Sequence, residues 1–251
     1  MLETTYIHIA GIGRRTERAI HRERLVDWRS FLKAPPPINP QKKRLILESL
    51  PESLEALERG DITYFSRRLP PGEHWRLLDA FRSRAVFLDI ETCSPLARPD
   101  SLTVVGLYDE RGYRAFVAGV DMHTLPQALQ RYDIIVTYNG KCFDIPFLIS
   151  CGLHFLRSKV VVDLMHLCHR LGIRGGLKGA EQALGIRRPA EVAGMNGYDA
   201  VVLWRRHLAG SKDALPLLLT YNRCDTCNLA ALFDALKTRL IDHIRGGGGC
   251  A

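Results

Sequence analysis

The sequence predicts an α/β fold: a mixed five-stranded sheet flanked by helices, with a small helical region in front of it. Three observations carry the prediction. Between Ala85 and Ala118 the apolar residues follow the period of strands and are interrupted at turn residues. Two short β-branched runs, Ile134–Tyr138 and Val160–Asp163, each follow a helical pattern, as strands added in parallel require. From Leu164 onward the pattern is almost entirely helical.

Taken in order, Ala85–Glu91, Leu102–Tyr108 and Tyr113–Ala118 read as an antiparallel meander, the last two joined by a turn at Asp109-Glu-Arg-Gly112. A helix over Thr124–Arg131 leads to the fourth strand, and one near Ile145–Ser150 leads to the fifth. Leu177–Leu184, Tyr198–Leu208 and a long stretch from about Ala214 to Lys237 are the clearest later helices. Ahead of the sheet, residues 41–84 carry apolar helical faces, and Ala34-Pro-Pro-Pro-Ile-Asn-Pro40 reads as a linker because successive prolines hold the backbone extended. The expected organisation is a first element at 1–33, a proline-rich linker and helical segment at 34–84, the main α/β domain at 85–245, and a flexible glycine tail at 246–251.

With 251 residues, 46% hydrophobic and 25% charged, the chain has the balance of a globular protein with a sizeable core. Its apolar runs fall far short of the roughly 20 residues a bilayer requires, so no membrane association is expected. The first residues lack the basic and apolar regions of a secretion signal, and seven cysteines cannot all pair, so reduced thiols and a cytoplasmic location are predicted. The net charge is +8. Much of it sits between Arg14 and Arg44, where ten basic side chains face only Glu17, Glu23 and Asp27. A polyanionic partner would account for this, and so would a solvated basic helix face.

Chemistry concentrates at three places. Asp89 and Glu91 are two apart on the first strand, so both carboxylates point to one side among apolar neighbours. Such a pair in a buried sheet calls for a cation, unless the strand ends there and both acids are solvated. Asn139-Gly-Lys-Cys-Phe-Asp144 follows the fourth strand; taken alone it is a turn and a helix N-cap. Tyr221 and Asp225 lie one turn apart on the long helix, hence on one face.

Together, Asp89-Ile-Glu91, Asn139-x-x-x-Phe-Asp144 and Tyr221-x-x-x-Asp225 resemble the signature of the DEDD superfamily of 3′-to-5′ exonucleases on the RNase H-like fold, in its tyrosine form, DEDDy. Within it the chain looks most like the bacterial YprB-type group, related to the exonuclease domain of family B DNA polymerases. The resemblance covers roughly residues 85–240, and Thr5–Leu32 and Glu73-His-Trp-Arg76 also look like that group. It implies two divalent cations, Mg²⁺ or Mn²⁺, about 4 Å apart, because phosphodiester hydrolysis must activate a water and carry charge on the leaving oxygen. By resemblance Asp89, Glu91 and Asp225 hold one ion, Asp89 bridges to the second, and Asp144 acts on the second through water. Tyr221 would orient the attacking water, its phenol expected near the ordinary pKa of about 10. The implied partner is DNA or RNA with a 3′ end.

Other residues carry two readings each. Asp163 could join the metal shell or cap the helix beginning at Leu164. Asn139, Lys141 and Lys178 are candidates to touch substrate. Cys224-x-x-Cys227 looks like half a zinc site, but without a second pair packing thiols are expected. Gly11-Ile-Gly13-Arg14-Arg15 resembles a helix-hairpin-helix element, which would bring backbone N–H groups and charge to a phosphate. Only about ten residues precede Gly11, so its first helix is short or absent, and a compact cap with a tight turn is the alternative. The favoured function is a metal-dependent 3′-to-5′ exonuclease. A structure-specific endonuclease and a non-catalytic nucleic-acid binding module are the rivals, though a pure binding module gains nothing from carboxylates set against an anionic ligand.

Overall fold

The computed structural model describes residues 1–245; the predicted glycine tail at 246–251 lies outside them. The chain forms two compact units, one from Met1–Arg82 with the residues from Lys237 onward, the other from Ser83–Leu236.

In the first unit a single 3-10 turn, Leu2–Thr4, precedes Gly11, and helix α1 (Arg14–Ile20) starts directly after Gly13. Helices α2 (Trp28–Lys33), α3 (Pro40–Glu58) and α4 (Ile62–Arg68) each begin at a side chain that accepts a backbone N–H: Asp27, Asn39 and Asp61. The expected linker therefore ends one residue early. Pro40 is the first residue of α3, where its fixed φ fits and its missing N–H costs nothing. The core holds Tyr6, Trp28, Phe31, Phe65 and Trp75, all but sealed from solvent. Within it Arg76 lies between two buried carboxylates, pairing with both oxygens of Glu17 (2.9 and 3.0 Å) and with Glu73 (2.6 Å). A buried cation so surrounded is held only because its donors are satisfied.

In the second unit, strands β1 (Ala85–Thr92), β2 (Leu102–Asp109), β3 (Gly112–Val117), β4 (Ile134–Thr137) and β5 (Val160–Asp163) form a five-stranded sheet in the order β3-β2-β1-β4-β5. β1 runs antiparallel to β2 and parallel to β4, which is parallel to β5. Helix α5 (Leu125–Gln130) connects β3 to β4, and α6 (Asp144–Ser150) connects β4 to β5. The mixed sheet and its meander agree with the sequence pattern, each boundary lying within a residue or so of expectation.

The two faces of β1 differ as a period of two dictates. Val86, Leu88 and Ile90 join Val105, Leu107 and Ile135 in a core covered by Leu125, Leu129, Phe147 and Leu148. Asp89 and Glu91 point to the other face, paired across to Gly106 and Val104 of β2. Five helices follow β5 in the chain, α7 (Leu164–Arg170), α8 (Gly176–Ala183), the short α9 (Ala190–Ala193), α10 (Gly197–Leu208) and α11 (Ala214–Ile244), and the last three cover that face. Val104 and Val117 pack there with Leu203, Trp204, Leu218 and Tyr221. α11 continues past its predicted end near Lys237, since Leu236, Leu240 and Ile244 keep a buried stripe at a spacing of four. Among the described residues no helix is long and apolar enough to cross a membrane.

Candidate active site

The carboxylates of Asp89, Glu91 and Asp225 converge where β1 meets α11. Ligand oxygens from all three lie within 4.8 Å of one another, Glu91 and Asp225 buried and Asp89 partly so. Gly106 makes this approach possible. A Cβ built there would stand 2.2 Å from both Asn222 Oδ1 and Thr226 Oγ1, so only glycine lets α11 settle against β2 at this height. Asn222, fully buried, then reaches across, its Nδ2 donating to Asp89 Oδ2 (2.9 Å) and Glu91 Oε1 (3.4 Å). The Tyr113 hydroxyl donates to Asn222 Oδ1 (2.9 Å), which fixes the amide with its NH₂ toward the acids.

Asp144 stands apart from this group. It opens α6 without acting as its N-cap, which is Phe143, and its Oδ1 instead accepts the backbone N–H of Ile90 at 3.3 Å. The helix-cap role considered for it from sequence is therefore not the one it plays. Asp163, by contrast, is a cap and more: it accepts from Met165 N (3.1 Å), Asn139 N (2.8 Å) and Lys141 N (3.1 Å). It thereby ties down the turn after β4, in which Asn139 takes the left-handed conformation (φ 62°) that asparagine tolerates. Asn139 and Lys141 reach Asp163 through their backbone N–H groups.

Burial and mutual repulsion raise the proton affinity of the acids. Asp89 is held well above the usual carboxylate range, chiefly by desolvation and then by Asp225, Glu91 and Asp144. Glu91 is pushed up to about 8 by burial and by Asp225, and Asp144 to about 7, mainly by burial. Asp225 is also raised by burial, against the opposing pull of Arg188. The ordinary pKa expected for Tyr221 is corrected: burial, then the charges of Asp225 and Glu91, hold its phenol well above its usual range. Tyr221 is thus a neutral hydroxyl beside Asp225, suited to orient a water and unsuited to lose its own proton. Close hard oxygen donors whose carboxylates are strained as bare anions fit a divalent cation.

Arg188, Glu181 and Asn228 carry no signal in the local sequence. Arg188 pairs through Nη2 with Asp225 Oδ1, while its Nε and Nη2 donate to Glu181 (2.6 and 2.9 Å). Asn228 Nδ2 donates to Glu181 Oε1 at 2.8 Å. Asn222 could have been suspected from its place inside Tyr221-x-x-x-Asp225, but Glu181 and Arg188 lie in another helix and its following loop. Lys178 Nζ and Arg188 Cζ lie 5.7 and 5.9 Å from the Tyr221 ring centre. Cys224 packs against the apolar cluster of Val104, Leu203 and Leu218.

In the first unit, Gly11 adopts φ 81° and its carbonyl accepts Lys42 Nζ at 2.7 Å. Gly13 stands at the N-cap of α1, and Arg15 is exposed. Arg14 has an internal partner that the sequence did not reveal, Glu73 Oε1 at 2.7 Å.

No curated protein sequence matches the chain. Among solved structures it is similar to a family B DNA polymerase from the hyperthermophilic archaeon Pyrobaculum calidifontis, with 18% identity and a TM-score of 0.46, over 62% of this chain and 24% of that one. The chain thus spans about a quarter of the polymerase's length. A sequence model of the RNase_H superfamily matches residues 86–237, a span that contains all five strands except the first residue of β1 and every carboxylate of the cluster. On that match, and with the mixed sheet it encloses, the chain belongs to the RNase H superfamily and has its fold.

Proposed function

We propose that the chain is a metal-dependent 3′-to-5′ exonuclease of the DEDDy type, acting on DNA or RNA and releasing nucleoside 5′-monophosphates. Membership of the RNase H superfamily and the acidic cluster support a nuclease-type function on nucleic acid. The observation that favours the finer reading is the grouping of Asp89, Glu91 and Asp225 within 4.8 Å, with Tyr221 one helical turn from Asp225.

Asp89, Glu91 and Asp225 would hold one divalent ion, and Asp89 with Asp144 a second. Bound there, such ions supply activation of water and stabilisation of the charge gathering on the phosphate and the leaving oxygen. The chain's own residues do the rest. Asn222 presets the orientation of Asp89 and Glu91 through its two donated hydrogen bonds. The neutral Tyr221 hydroxyl holds the attacking water in line. Asn139 and Lys141, on the turn tied by Asp163, would meet the strand. In the first unit Gly11, Gly13, Arg14 and Arg15 would add contacts to the nucleic-acid backbone.

The test is a product ladder. With 5′-labelled single- and double-stranded DNA and RNA in Mg²⁺ or Mn²⁺, stepwise shortening from the 3′ end, abolished by EDTA and by Asp89→Ala, is expected. Cleavage of a labelled circle would instead identify an endonuclease, and binding without any cleavage a non-catalytic module.

A further inference from the structure

Arg188 is bonded to the cluster through Asp225, and its bonds divide between two acids, Asp225 and Glu181. Its side chain is 5% exposed and its partners Glu181 and Asp225 are 3% and 10% exposed. Glu181 takes two of its donors and is itself steadied by Asn228, so the guanidinium is anchored on that side. On the other side it rests on Oδ1 of Asp225, a carboxylate belonging to the group of three within 4.8 Å. Its Nη1 is buried without a hydrogen-bond partner among the described residues. A buried donor left unsatisfied is costly, so an acceptor brought alongside it is favoured.

The same side chain lines a groove of about 440 Å³, with Lys178, Gln182, Ile186 and Arg187 among its other walls. That volume suits a nucleotide-sized ligand. Lys178, Arg187 and Arg188 set three cations around it against one acid, Glu181, a balance that suits a phosphate.

We propose that the groove is a phosphate subsite and that Arg188 is an exchangeable cation, trading Asp225 for a nucleotide phosphate so that the carboxylate is released to a divalent ion. The inference rests on the exonuclease reading and deepens it. A guanidinium and a metal ion compete for the Asp225 oxygen, so Arg188 opposes metal binding until a phosphate draws it away. Linkage then makes the two ligands cooperative, each tightening the other by the same factor.

The test is titration of Mn²⁺, with free ion followed by electron paramagnetic resonance, on the full chain with and without thymidine 5′-monophosphate. Wild type should bind Mn²⁺ more tightly with the nucleotide. Arg188→Met should bind Mn²⁺ alone at least roughly fivefold more tightly than wild type, the lower end of ordinary coupling between two ligands. It should also bind the nucleotide alone more weakly and show a smaller cooperative gain. If Arg188→Met unfolds because Glu181 is left unpaired, the double variant Arg188→Met with Glu181→Gln removes both charges, and the same tightening is expected of it. Unchanged or weaker Mn²⁺ affinity in whichever of these variants folds, while Asp89→Ala abolishes uptake, would overturn this inference and leave the exonuclease reading standing. A wild type that takes up no Mn²⁺, or whose uptake Asp89→Ala does not alter, would overturn both.

Discussion

Gly106 and Asn222 occupy adjoining space so closely that a Cβ on Gly106 would stand 2.2 Å from Asn222 Oδ1. The missing side chain on β2 is what allows the amide on α11 to reach Asp89 and Glu91. Gly106→Ala should therefore push α11 outward, lowering stability by about 1–3 kcal/mol, as overpacking does. It should also weaken Mn²⁺ binding by disturbing the acids that Asn222 orients. Denaturant unfolding of Gly106→Ala, Asn222→Ala and the double variant checks this. The two costs should fall short of adding in the double variant, whereas additivity within about 0.5 kcal/mol would show that the residues act independently.

Tyr221→Phe removes only a hydroxyl whose phenol is held neutral by burial and by Asp225 and Glu91. Turnover should fall by roughly 10²-fold, the lower end of what a positioned proton-handling group contributes. KM and Mn²⁺ affinity should change little. Because the hydroxyl does not ionise in the working range, the pH profile of the residual activity should keep the shape of the wild type. A loss confined to KM would assign Tyr221 to substrate binding instead.

The two units should respond to pH in opposite directions in EDTA. In the second unit Glu91 and Asp144 have folded-state pKa values raised to about 8 and about 7, so the folded state holds more protons than the unfolded chain between about pH 4 and those values. Its stability is greatest below pH 4 as far as these groups are concerned and is lost as pH rises through 7 to 8. In the first unit His8, buried against Ser53 Oγ at 2.9 Å, is lowered to about 3 by desolvation. Its folded state holds fewer protons than the unfolded chain below about pH 6.5, so stability is lost as pH falls, by up to about 1.4 kcal/mol per unit. Amide hydrogen exchange across pH 5–8 reads the two separately: protection in 83–236 should fall on the alkaline side and that in 1–82 on the acid side. Added Mn²⁺ should flatten the alkaline loss only. Parallel changes in both units would contradict the assignment.

What the sequence revealed and what it hid divide along one physical line. The strand period put Asp89 and Glu91 on a single face, and the helical period put Tyr221 beside Asp225, because both relations are local. The partners that complete the site are not local. Asn222 meets Asp89 across 133 positions, and Arg188 meets Asp225 only after α9 and α10 have been folded between them. Burial was equally hidden, which is why Tyr221 was expected at an ordinary pKa. The turn at Asn139-Gly140 is legible in the sequence, whereas the backbone N–H that Asp144 accepts is not, since it belongs to Ile90 of a strand 54 positions earlier.

Arg14 and Arg15, adjacent and alike in sequence, should behave differently. Arg15 is exposed, whereas Arg14 donates at 2.7 Å to Glu73, a fully buried carboxylate that also holds Arg76. Arg14→Glu would set a second negative charge against that buried acid and leave one of its acceptors unmet, at a cost of roughly 1–3 kcal/mol. Its melting temperature should drop, and any loss of nucleic-acid binding would be confounded by that. Arg15→Glu should leave the melting temperature unchanged and isolate the electrostatic question. If Arg15 meets a phosphate, removing it releases one fewer counterion, and the slope of log K against log salt on duplex DNA should flatten by about 0.9. The comparison is made across a salt series in an Asp89→Ala background, so that substrate survives the measurement. Equal affinity and slope for Arg15→Glu and its parent would make the Gly11–Gly13 turn a structural cap of the first unit and leave nucleic-acid binding to the second.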